Sequence, residues 1–120
     1  RFVLVTDAMP PVGSDAESFV LQGRTIRVVD GVCRDEHGTL AGTALDMMTA
    51  VRNAVTMLGV DLSEAIRMAS EYPADFLGLG HELGRIAPGH RAHLALIDDA
   101  LQVRRTWIDG AGSGDDHVRP

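Results

Sequence analysis

The stretch Phe2-Val3-Leu4-Val5-Thr6-Asp7, followed by Ala8-Met9-Pro10-Pro11, decides how the rest of the chain is read. Four consecutive apolar residues, two of them β-branched, predict a strand buried on both faces, as in a parallel sheet. Two prolines close behind prevent its extension. Asp7 is thereby expected at the carboxyl end of a buried strand, opening a loop. A carboxylate placed there could act as a general base or as a metal ligand. It could equally serve only to bond loop N–H groups, as Asp does in turns. The run follows Arg1 at once, with no initiator Met and no cap, so the chain is expected to begin inside a larger architecture.

Beyond this strand, Phe19–Leu21, Thr25–Val29 and Val32–Arg34 are strand-like. Asp30-Gly31 is a strong two-residue hairpin signal between the last two. A small antiparallel ribbon over about 19–36 follows. Gly38–Thr43 is glycine-rich and leads into a helix, a place where backbone can approach a ligand or where an ordinary turn and cap can form. Thr43, with Asp46 three residues on, resembles a capping box, and apolar residues at helical spacing predict a helix over 43–58 closed by Gly59. Asp61-Leu62-Ser63-Glu64 starts a second helix, over 62–71, that Tyr72-Pro73 is expected to break. Pro73 to Leu77 can form a short third helix. Ala92–Asp98 and Leu101–Ile108 read as strands. Residues 111–120 are small, polar and charged and read as a disordered tail.

Composition excludes several function classes. The net charge of −6 over 120 residues argues against binding nucleic acid or an anionic membrane. No apolar run approaches the ~20 residues of a transmembrane helix. The single cysteine, Cys33, excludes an internal disulfide and fits a reducing compartment, so a cytoplasmic location is expected. Cys33 itself reads as a small core residue. The five histidines, His37, His81, His90, His93 and His117, lack metal-ligand spacing and read as surface or loop residues.

Taken together, several motifs resemble one family. They are Leu4-Val5-Thr6-Asp7-Ala8, the run Asp35–Met47 with its Gly-Thr-Leu-Ala-Gly-Thr core, and Ala50-Val51-Arg52-Asn53. Glu64–Ser70, Pro73-Ala74, Leu83–Gly89 and Thr106–Gly110 continue the series. Their order and spacing resemble the carboxyl-terminal third of the N-acetylglucosamine-6-phosphate deacetylases, a family of the amidohydrolase superfamily. The motifs from Pro73 onward are general to the superfamily, and the Gly-Thr-Leu-Ala-Gly element is particular to these deacetylases.

This resemblance implies an α/β fold, namely the carboxyl-terminal portion of a (β/α)8 TIM barrel plus part of a small β-sandwich. Residues 1–83 would carry the last strand and the closing helices, and 84–110 the sandwich portion. It also implies that Asp7 is the catalytic acid and base. A divalent metal, commonly zinc, would polarise the acetyl carbonyl. The metal ligands and the phosphate-binding residues would lie upstream, leaving at most Asp7 to reach the metal from this chain. Leu40, Ala41 and Gly42 match a substrate-contacting stretch. The expected substrate is an amino-sugar phosphate, hydrolysed to acetate and glucosamine 6-phosphate, and the expected assembly is a homodimer. The chain alone is expected to be inactive. Ala92-His93-Leu94 departs from the usual Ala-Asp-Leu. The competing classes are another amidohydrolase, such as an aminoacylase or cyclic-amide hydrolase, and a stand-alone interaction domain.

Overall fold

A computed structural model describes residues 1–113. Two antiparallel sheets flank three helices in chain order. The first sheet is a meander of β1 (Ser18–Leu21), β2 (Arg24–Val29), β3 (Val32–Arg34) and β4 (Leu40–Thr43). Asp30 and Gly31, with φ of 50° and 76°, make the mirror-image turn that suits the right-handed twist of paired strands. The ribbon thus holds the three expected strands, and Leu40–Thr43, expected as a loop and helix start, joins as a fourth. Cys33 pairs with Gly42 across the β3–β4 ladder, which shifts register between Cys33 and Arg34.

The helices are α1 (Met47–Leu58), α2 (Leu62–Ala69) and α3 (Glu71–Phe76). Thr43 does not cap α1, contrary to expectation. Asp46 does, accepting the Thr49 N–H at 2.8 Å, and Gly59 ends the helix at φ 68°. Asp61 caps α2 as expected, through the Ser63 N–H. Pro73 does not open α3 but sits in its first turn, where its missing N–H has no intrahelical partner to lose. Val51, Ala54 and Ala65 form the buried centre between α1 and α2, with Leu4, Met48, Val55 and Leu62 packed around it.

The second sheet joins β5 (Leu94–Ile97), β6 (Val103–Ile108) and β7 (Ala111–Gly112). Ala111 and Gly112, expected within a disordered tail, instead pair with Ile108 and Trp107. The remainder of that expected tail, 114–120, lies outside the described residues. An apolar groove of about 1070 Å³ runs between the helices and this sheet, lined among others by Met48, Val51, Leu83, Ile97 and Trp107.

The opening run differs most from its expectation. Phe2–Asp7 is not in a strand among the described residues; Leu4 N–H donates to the Met68 carbonyl, and Ala8 makes an isolated parallel bridge to Thr43. Phe2 and Val5 are 81% and 75% exposed. A strand exists only through a ladder partner, and none of the described strands runs beside Phe2–Thr6. No described helix is long and apolar enough to cross a membrane.

Candidate active site

Asp7 stands where the opening run meets the inner end of the ribbon. Its backbone takes a left-handed φ of 52°, a conformation Asp tolerates better than most residues. Thr43, the last residue of β4, holds this segment from both sides. Its N–H donates to the Asp7 carbonyl at 2.9 Å, and its own carbonyl accepts the Met9 N–H at 2.8 Å. Its hydroxyl donates to the Thr6 carbonyl at 2.6 Å and accepts the Leu45 N–H at 3.0 Å.

Gly42 is packed beneath that junction. A Cβ built on it would lie 2.6 Å from Met9 Cγ and 2.9 Å from the Asp7 carbonyl oxygen. Only glycine lets the two segments approach so closely. Cys33, fully buried and paired with Gly42, completes the floor. Burial, and then the negative charge of Asp7, push its thiol up from the ordinary range, which keeps it a neutral packing group.

The structure therefore brings Asp7 and Gly42 together. Leu40 and Ala41 instead line a separate open cavity of about 410 Å³ with Leu21, Arg24, Ile26 and Asp35. The wall of that cavity is built by Asp35, whose carboxylate accepts the N–H groups of His37 and Thr39, each at 2.9 Å, and lies 3.9 Å from Arg24. Those backbone bonds, the Thr39 one foremost, hold the Asp35 carboxyl below its usual range. Thr43 is the residue that sequence reasoning misplaced, as a helix cap. The signal was present in the Gly42-Thr43 pair, since glycine before a hydroxyl residue suits a close crossing as well as a cap.

Among the described residues, no group of three or more His, Cys, Asp or Glu side chains could hold a metal ion. His37 and His81 are exposed, and His90 reaches the Gly80 carbonyl at 3.2 Å through Nε2. His93, at the position that departs from Ala-Asp-Leu, accepts the Asp109 N–H on Nδ1 at 3.1 Å. His117 lies outside the described residues.

Asp7 is thus an acidic residue where an irregular segment meets the end of β4, beside a crossing built of small residues. The chain belongs to the Amidohydrolase family, matched over residues 2–112. More particularly, it is 46% identical over 112 residues to the N-acetylgalactosamine-6-phosphate deacetylase of Shewanella sp. (strain ANA-3), covering 92% of this chain and 28% of that protein. The N-acetylglucosamine-6-phosphate deacetylase of Haemophilus influenzae is 37% identical over 112 residues, with 92% and 29% covered. The crystal structure of N-acetylglucosamine-6-phosphate deacetylase from Pasteurella multocida superposes with a TM-score of 0.87 at 41% identity, covering 92% of this chain and 29% of that one. The chain thus spans less than a third of the length of these relatives.

Proposed function

We propose that this chain is the carboxyl-terminal part of a deacetylase that hydrolyses N-acetylglucosamine 6-phosphate to glucosamine 6-phosphate and acetate. The observation that carries the reading is the agreement over 92% of the chain with deacetylases of N-acetylated amino-sugar 6-phosphates. In this reading residues 1–83 contribute the last strand and closing helices of a (β/α)8 barrel, and 84–110 part of a β-sandwich. Phe2–Asp7 becomes the eighth barrel strand once strands from outside this chain flank it. The exposed apolar side chains of Phe2 and Val5 support this.

Asp7 is the proton carrier. It takes a proton from the attacking water and gives it to the departing amine, which leaves poorly unless protonated. The peptide planes around Asp7 are held by Thr43, so the carboxylate works from a fixed base. Leu40, Ala41 and Gly42 are assigned to substrate contact, through backbone and small side chains. The described residues do not form a metal site. The divalent metal that amidohydrolases generally need, expected here to be zinc, takes its ligands mostly from segments upstream of this chain, with at most Asp7 reaching it from here. A cytoplasmic homodimer is the expected state of the complete protein.

Asp7→Asn in the complete protein tests the reading. The substitution keeps shape and removes the proton carrier, so kcat should fall by about 10²–10⁴-fold with KM little changed. A near-normal rate removes Asp7 from the mechanism. Isolated residues 1–120 with added zinc should give no turnover, and turnover above blank refutes the expected inactivity. A second reading, the 4-epimer N-acetylgalactosamine 6-phosphate, is favoured by the 46% identity to the Shewanella protein against 37% to the Haemophilus one. The ratio of kcat/KM on the two sugars decides between them.

A further inference from the structure

The direction of a residue's Cα–Cβ bond is set by the two peptide planes that flank its Cα, and the side-chain torsions act from that base. Around Asp7 these planes carry the carbonyls of Thr6 and Asp7. Both carbonyls accept from one residue. The Thr43 hydroxyl holds the Thr6 carbonyl at 2.6 Å, and the Thr43 N–H holds the Asp7 carbonyl at 2.9 Å. The next peptide is held too, because the Met9 N–H donates to the Thr43 carbonyl at 2.8 Å. The hydroxyl is itself oriented, since it accepts the Leu45 N–H at 3.0 Å and so directs its proton toward Thr6. Asp7 meanwhile keeps a left-handed φ of 52°, a conformation that persists only where surrounding contacts over-determine it.

We propose that Thr43 is a positioning residue for Asp7, its hydroxyl fixing the peptide plane that precedes the carboxylate. The proposal rests on the reading of Asp7 as the proton carrier. The hydroxyl is the one part of this grip that a substitution can remove, because the N–H and C=O contacts belong to the backbone. Thr43→Val keeps the volume and the β-branch and deletes the donor. Thr43→Ser keeps the donor and deletes a methyl group.

The test compares steady-state kinetics of the complete protein carrying Asp7→Asn, Thr43→Val or Thr43→Ser, with N-acetylglucosamine 6-phosphate and N-acetylgalactosamine 6-phosphate as substrates. An acid shifted by about 1 Å loses roughly 10²-fold in rate. Thr43→Val should therefore lower kcat by about 10–100-fold while KM stays within about threefold, and Thr43→Ser should recover most of the rate. A near-normal Asp7→Asn variant sinks the functional reading itself, whatever Thr43 does. If Asp7→Asn is inactive and Thr43→Val keeps kcat within twofold of the parent, the proposal is overturned. It is also overturned if Thr43→Val raises KM and spares kcat, or if Thr43→Ser falls as far as Thr43→Val. Should Thr43→Val not fold, Thr43→Ala against Thr43→Ser asks the same question, and equal loss in both overturns the proposal.

Discussion

Adding one methyl group to Gly42 should disturb the site more than most buried substitutions. In Gly42→Ala the new Cβ would sit 2.6 Å from Met9 Cγ, 2.8 Å from Met9 Sδ and 2.9 Å from the Asp7 carbonyl oxygen. Carbon atoms in ordinary contact lie about 3.5–4.0 Å apart. The Met9 side chain is flexible and can swing aside. The Asp7 carbonyl cannot, because it is bonded to the Thr43 N–H at 2.9 Å on the same strand. Relief requires the Thr6–Met9 segment to lift off β4. Overpacking of this kind costs about 1–3 kcal/mol. The backbone φ of 153° at Gly42, which side-chain-bearing residues rarely adopt, adds a further penalty of order 1 kcal/mol or more. The expected total is roughly 2–5 kcal/mol of stability. The lift also moves the acid, so kcat should drop by about tenfold or more. The assay pairs denaturant unfolding with steady-state kinetics on the complete protein. Gly38→Ala is the control, since φ there is 81° yet nothing lies within 4 Å of its Cβ. It carries conformational strain without a collision. If Gly42→Ala unfolds and turns over like Gly38→Ala, the close crossing does not constrain Asp7 and the steric reasoning fails.

Asp46→Ala should cost about 1 kcal/mol by removing the α1 cap, read as a lower unfolding midpoint with an unchanged denaturant slope; an unchanged midpoint refutes the cap assignment. The Asp46 carboxyl is held low by the Thr49 hydroxyl and then the Thr49 N–H, and Asp98 is held low chiefly by the Gln102 N–H. Their folded values lie below the unfolded ~3.9, so their contributions are present above that pH and are lost as it falls through the folded values. An acid titration of stability should bend there, and Asp46→Asn should flatten it. For Cys33 the sign reverses. Its thiol is pushed up, so the contribution of the neutral form is full below the ordinary thiol range and is lost as pH rises through the raised value. Cys33 should resist alkylation near pH 8 until the protein unfolds, and labelling at the rate of a free thiol refutes this.

What could be read from sequence alone followed how local each cause is. Asp30-Gly31, Asp61 and Gly59 act within a few residues, and each performs as its pattern predicts. Two pieces that misled owe their state to distant partners. Leu40–Thr43 carries two small residues of poor strand preference, yet β3 recruits it, because pairing and close approach outweigh intrinsic preference. Phe2–Val5 has strong strand preference and lacks a ladder partner among the described strands. Thr43 shows the limit most clearly. Its spacing to Asp46 is that of a capping box, but Asp46 takes the cap, and the Thr43 hydroxyl goes to a carbonyl 37 residues earlier in the chain. Ala111 and Gly112 fit the same account, since Asp109-Gly110 predicts a turn whose following strand is too small and polar to announce itself.

On the proposed reading of Asp7 as the proton carrier, these local and distant causes bear on how the catalytic work divides along the polypeptide. The contacts made at the backbone of Asp7 itself come from nearby in the chain: the Thr43 grip and the Gly42 crossing, with the Cys33 floor beneath. The described residues hold no metal cluster, and Leu40 and Ala41 face a cavity that Asp7 does not line. On the proposed reading the aim of the acid is set by the contact between Thr6–Met9 and the end of β4, and the metal ligands come from other segments. Disturbing the ribbon should then change kcat before it changes metal content or KM, and disturbing the segments that meet it should do the reverse.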